Sequence, residues 1–158
     1  TVRKNKSGIV VKGLHDLAVR FSRCCNPVPG DEIVGFVTRG RGVSIHRTDC
    51  INVINLPEDE RGRLIDAEWQ VAENSTSTEQ YSTEIQIFAN NRIGLFADIS
   101  KVFTEKQIDI TSMNVRTSKQ GRATIIMTFD IHGIEELNRL TDKLRQIEGV
   151  LDIERTAG

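Results

Sequence analysis

The chain has 158 residues, 38% of them apolar and 27% charged, which is the make-up of a globular protein with length for one ordinary domain or two small ones. No apolar run approaches the roughly 18–20 residues that span a bilayer, and the polar start TVRKNKSG lacks a signal peptide's apolar region, so a cytoplasmic protein without membrane contact is expected. The net charge of −1 hides a segregation: residues 1–56 hold nine Lys/Arg against four Asp/Glu, residues 57–81 two against seven, and residues 82–158 ten against eleven, so only the first block suits a polyanion.

In chain order, GIVVKGL reads as a strand. DEIVGFV and GVSIH read as a hairpin turning at TRGRG, where Gly40 and Gly42 supply flexible positions. TDCINVI is expected to be a short helical segment capped by Thr48, and EDER an exposed loop. RLIDAEWQV alternates, placing Ile65, Ala67, Trp69 and Val71 on one face. The segment AENSTSTEQYS is short of aliphatics and reads as a linker. This predicts an α+β protein: a small mixed α/β cysteine domain at 1–72, a linker at 73–81 and a second domain at 82–158.

Beyond the linker, TEIQIFA turns Ile85, Ile87 and Ala89 to one face, after which GLFADISKVFTEKQ changes to a helical stripe of Leu95, Phe96, Ile99, Val102 and Phe103. ITSMNVRT and RATIIMTFDI are two strands joined by SKQG, with Gly121 suited to a tight turn. IEELNRLTDKLRQI carries Ile134, Leu137, Leu140, Leu144 and Ile147 at helical spacing and is expected to stop at Gly149, ahead of a last strand, VLDIER. The order β-α-β-β-α-β favours a ferredoxin-like sheet with both helices on one face. An exposed sheet edge in such a unit invites pairing with a second copy, so a homodimer is expected.

Cys24, Cys25, His46 and Cys50, with His15 further off, are soft and borderline ligands of the kind zinc prefers. Adjacent cysteines on extended backbone point to opposite faces, which makes joint ligation by Cys24 and Cys25 awkward. Buried cysteines serving as small hydrophobes are the alternative. In TRGRG, Arg39 and Arg41 flank a glycine, so the backbone can approach a phosphate while two guanidiniums offer forked donors. Arg20, Arg23 and Arg47 extend that candidate surface, and His46 can stack on a base. The competing reading is a solvated hairpin tip. No catalytic residue is expected: Cys25 lacks a nucleophile motif, and Glu135 and Glu136 open a helix, where the dipole favours negative charge.

The stretch HDLAVRFSRCCNPVPGDEIVGFVTRGRGVSIHRTDC, followed by a β-α-β-β-α-β block with NNRIGLFADI, resembles the C-terminal regulatory region of the long Rel/SpoT-type stringent-response enzymes, over nearly the whole chain. The second half is similar to an ACT domain. The resemblance implies a conserved-cysteine (zinc-finger or ribosome-intersubunit) domain and an ACT domain that contact the ribosome and deacylated tRNA and feed back on distant N-terminal catalytic domains that make and degrade (p)ppGpp, in a parent that resembles a GTP pyrophosphokinase. With the start at Thr1, a fragment of a larger enzyme is expected. ACT domains of this kind often bind amino acids at the loop before the first helix. The matching positions are Asn90, Asn91, Arg92, Ile93, Gly94 and Leu95, with Ile110, Ser112 and Asn114 as the other wall and a branched-chain amino acid as the ligand that Ile93 and Leu95 would suit. Two alternatives stay open: an amino-acid-binding ACT dimer without RNA contact, and a thiol or metal redox sensor.

Overall fold

The computed structural model describes residues 9–11, 18–40, 42–69 and 79–156. His15, Arg41, Gln70, Val71 and linker residues 73–78 lie outside the described residues. Residues 9–69 fall in one compact unit and Glu79–Thr156 form a second, each built as its own fold.

The first unit is a five-stranded sheet. Its strands are β1 (Ile9–Val11), β2 (Val19–Phe21), β3 (Ile33–Val37), β4 (Val43–Arg47) and β5 (Leu64–Trp69), in the order β1-β5-β3-β4-β2. The hairpin read from TRGRG is β3 and β4, paired antiparallel from Ile33↔Arg47 to Val37↔Val43. β2, which no periodicity marked, pairs parallel to β4. Gly42 is what permits this: at φ +82 its amide neighbour Val43 N–H donates to Ala18 O at 2.8 Å, and a Cβ there would lie 2.2 Å from that same oxygen.

Side chains alternate across the sheet, so each strand feeds two faces. One face carries Val43, Ile45 and Ala67, packed by Val19, Phe21, Ile33, Val37, Ile65 and Trp69, with the Phe21 and Trp69 rings stacked at 5.6 Å. The other is covered by the turn after β2 and by α1 (Ile51–Ile54), where Cys25, Cys50 and Val53 pack against Cys24, Val34 and Leu64. Two sequence expectations are corrected here. Cys50, not Thr48, is the N-cap of α1. EDER forms the start of a 3-10 helix over Glu58–Arg63, held by Glu60 N–H to Pro57 O and by the Arg63–Glu60 ion pair at 2.9 Å.

The second unit runs β6 (Tyr81–Asn90), α2 (Leu95–Glu105), β7 (Ile110–Thr117), β8 (Arg122–Ile131), α3 (Ile134–Arg145) and β9 (Val150–Arg155). All pairings are antiparallel, in the order β7-β8-β6-β9, the ferredoxin-like arrangement that the element order favoured. The inner face holds Ile85, Ile87 and Ala89 of β6 and Ala123, Ile125, Met127, Phe129 and Ile131 of β8, all buried. Helices α2 and α3 bury Leu95, Ile99, Phe103, Leu137, Leu140 and Leu144, and Phe103 meets Phe129 edge-on at 5.1 Å. α3 ends at Arg145, earlier than expected. Gly149, at φ +99, instead turns the chain into β9, where a Cβ would come 3.0 Å from Asn90 O.

Candidate functional site

The turn that ends β2 decides the fate of the paired cysteines. Arg23–Cys25 form a turn, and Asn26 follows with φ +47, its N–H donating to Ser22 O at 3.0 Å. On turn backbone consecutive side chains no longer alternate, so the opposite-faces expectation fails: the Cys24 and Cys25 sulfurs lie 4.0 Å apart. β4 brings His46 beneath them, and the first turn of α1 brings Cys50. Cys24 Sγ is 3.5 Å from Cys50 Sγ and 3.4 Å from His46 Nδ1, and Cys25 Sγ is 3.9 Å from that nitrogen. All four ligand atoms lie within 4.8 Å of one another. Sulfurs held tetrahedrally at zinc–sulfur distances stand about 3.8 Å apart, so the residues present fit such an ion.

The surroundings complete the fit. His46 Nε2 faces Ser22 Oγ at 2.9 Å and Ser44 Oγ at 3.2 Å, so a proton on Nε2 leaves Nδ1 as a lone pair aimed at the thiols. Arg47 N–H donates to Cys25 Sγ at 3.3 Å, and the Asn52 backbone N–H reaches Cys50, each favouring the thiolate. Burial acts the other way on both thiols, pushing Cys25 far up and Cys50 up, and it pushes His46 down. Without a metal, Cys25 and Cys50 therefore stay neutral thiols and His46 a neutral imidazole. Such thiols are weak nucleophiles.

Of the residues assigned to an RNA surface, Arg20 on β2, Arg23 in the cysteine turn and Arg39 at the hairpin tip are exposed. His46 and Arg47 depart from that expectation. His46 is turned in against the thiols and serines. Arg47 is 6% exposed; it donates to Asp49 through Nε at 2.9 Å and Nη2 at 2.6 Å, and to Cys25 O through Nη1 at 3.1 Å. Sequence reasoning missed Asp49, Ser22 and Ser44. The period-two spacing of Ser44 and His46 was the one available signal, since it sets them on one face of a strand.

In the second unit, the loop from Asn90 to Gly94 is tied down by its own arginine. Arg92 donates to Glu148 O at 2.8 Å, to Ile93 O at 3.1 Å and to Asp98 Oδ2 at 2.7 Å. Asn90 and Asn91 are exposed and anchored through their backbone N–H groups to Gly149 O and Gly121 O. Gly94 takes φ +85 ahead of α2; Ile93 is fully exposed, whereas Leu95 is fully buried in the core and has no surface to offer a ligand. The other expected wall is not beside this loop within one copy. Asn90 pairs with Arg122, but Ile110 pairs with Phe129, seven residues along β8 or about 23 Å of strand. Ser112 and Asn114 are exposed on β7 between those ends.

The RelA/SpoT RIS domain family matches residues 9–70, the unit that carries the cysteine cluster, and the ACT domain family matches residues 77–155. The chain belongs to the RelA/SpoT family. This RelA/SpoT chain is 40% identical over 148 residues to a GTP pyrophosphokinase of Streptomyces coelicolor, covering 94% of this chain and 17% of that one. To a GTP pyrophosphokinase of Escherichia coli K12 it is 37% identical over 156 residues, covering 98% and 20%. It thus spans about a fifth of the length of these curated relatives. Among solved structures, the ACT domain from the GTP pyrophosphokinase of Chlorobium tepidum covers 49% of this chain and 99% of its own, at 25% identity and a TM-score of 0.45.

Proposed function

We propose that this RelA/SpoT chain is the regulatory region of a GTP pyrophosphokinase, docking through its RIS domain on the ribosome and deacylated tRNA and biasing catalytic domains elsewhere in the parent between making and degrading (p)ppGpp. The observation that carries the reading is the convergence of Cys24, Cys25, His46 and Cys50 in the same small unit that exposes Arg20, Arg23 and Arg39. A zinc ion bound by these four residues would cross-link the β2 turn, β4 and α1, which is a structural role because all four positions are taken by protein atoms. The chain's own residues do the rest. Ser22 and Ser44 orient His46, Arg47 holds the cysteine turn, and the rigid unit presents its arginines to phosphate. Docking that favours one conformation of the parent would shift its balance of activities by mass action.

The test is binding of the chain to ribosomes carrying uncharged tRNA, as a function of salt. Each phosphate contact contributes about 0.7–0.9 to the slope of log affinity against log salt. The triple variant Arg20→Ala, Arg23→Ala, Arg39→Ala is expected to bind at least tenfold more weakly, on the order of a few lost phosphate contacts, and with a shallower slope. Unchanged affinity and slope would refute the docking surface.

A second reading is supported by Ile93, fully exposed beside the backbone N–H groups that open α2. A branched-chain amino acid with its carboxylate toward that helix start would cover it. Calorimetric titration with valine, isoleucine and leucine decides this, and absence of heat at millimolar ligand removes it. Self-association through the ACT domain belongs to the overall reading.

A further inference from the structure

We propose that the helix-free face of the ACT sheet is a self-complementary surface on which a second copy of this chain stacks face to face. Cross-strand partners share a face, so the registers map that surface: Arg116↔Thr124, Thr124↔Phe88 and Phe88↔Asp152 make one row across all four strands. At its centre Phe88 and Ile126 are half-buried with no helix over them. Around them stand two arginines, Arg116 and Arg122, and four carboxylates, Glu84, Asp130, Asp152 and Glu154. None of these six makes an ion pair among the described residues.

The charges are arranged so that they cannot meet within one copy. Arg116 on β7 and Asp152 on β9 sit at opposite ends of the same row, three strand spacings or about 14 Å apart. A twofold axis running parallel to the strands, between β8 and β6, brings them together across two copies. β7 of each copy then lies over β9 of the other, Arg116 faces Asp152 twice, and Thr124 faces Phe88. A twofold interface must be self-complementary, and this row is. Sheets packed face to face cross at about 30°, a displacement that the long arginine side chain can follow. Nucleic acid is the poorer occupant: four carboxylates against two arginines repel phosphate. Edge-to-edge pairing of strands, the expectation from the sequence, uses backbone groups and does not set Arg116 against Asp152.

This deepens the self-association reading and rests on it, and one experiment separates the two. Sedimentation equilibrium of the whole chain is expected to show a concentration-dependent dimer that weakens with salt. Arg116→Asp and Asp152→Arg, each alone, set like charges opposite each other and should weaken the dimer by at least about tenfold. Mixing the two single variants should restore it, because both facing pairs are then of opposite sign; this arm also shows that each variant is folded. A chain that stays monomeric at every concentration refutes self-association altogether. A dimer that survives both reversals, or that mixing does not recover, refutes this face and leaves edge pairing.

Discussion

Arg47 and Asp49 form a two-point ion pair in which the guanidinium is 7% exposed and the carboxylate 63%. The same guanidinium donates to Cys25 O, so a side chain two residues from the ion-pair partner also fixes the cysteine turn. Arg47→Ala removes the pair and leaves that carbonyl without this donor, at a cost of about 2–3 kcal/mol. Asp49→Asn keeps the turn contact and costs about 1 kcal/mol, because the lost carboxylate is mostly in water. Urea denaturation checks the order; equal losses would contradict it.

Zinc ligation needs thiolates, and burial holds the Cys25 and Cys50 thiols protonated in the metal-free protein. Binding therefore releases protons, so zinc affinity should fall as pH falls. A competition titration against a chromogenic chelator at several pH values measures this. Cys24→Ser or His46→Ala should lower the affinity by at least about two orders of magnitude, beyond the roughly 10–100-fold that loss of an outer-shell partner costs. Chelator should lower the thermal midpoint of the RIS domain and leave the ACT domain unmoved.

Gly40 and Gly42 share a left-handed backbone, at φ +80 and +82, but differ in surroundings. A Cβ at Gly40 meets nothing within 4 Å among the described residues, whereas one at Gly42 meets Ala18 O. Gly40→Ala should cost about 1 kcal/mol from conformation alone. Gly42→Ala should cost at least about 2 kcal/mol more, since the β2–β4 junction has to shift. Comparable losses in chemical denaturation would overturn the role given to the β2–β4 junction.

Thr83 is fully buried on the inner face of β6, and its hydroxyl has no hydrogen-bond partner among the described residues. Valine has the same shape without the polar atom. Thr83→Val should stabilise the ACT domain by about 1 kcal/mol, and a destabilised variant would show that the hydroxyl is satisfied in solution.

Tyr81, the one tyrosine in the chain, is pushed up to about 12, first by burial and then by its hydroxyl's bond to Glu79 at 3.0 Å and that carboxylate's charge. A phenol raised in the fold contributes stability that is present below its ordinary value near 10 and lost as pH rises through about 12. Phenolate absorbance should show Glu79→Gln lowering the midpoint only part of the way, because burial remains.

Periodicity alone determined the ACT half, because long strands and helices repeat one choice many times: Ile85, Ile87 and Ala89, or Leu137, Leu140 and Leu144, each vote for the same face. The RIS half has short elements, and there the local pattern ran out. β2 is three residues long and is held by a parallel partner more than twenty residues away, and the cap of α1 fell to Cys50, past the turn at Thr48 and Asp49 that follows β4. Composition named the four ligand candidates, but only the tertiary structure decided that Cys24 and Cys25 point the same way, since that follows from a turn closed by Asn26. It likewise decided which arginines reach solvent. The charge of Arg47 is legible in one letter, while its burial depends on the cysteine turn and on Asp49, groups that folding brings to it.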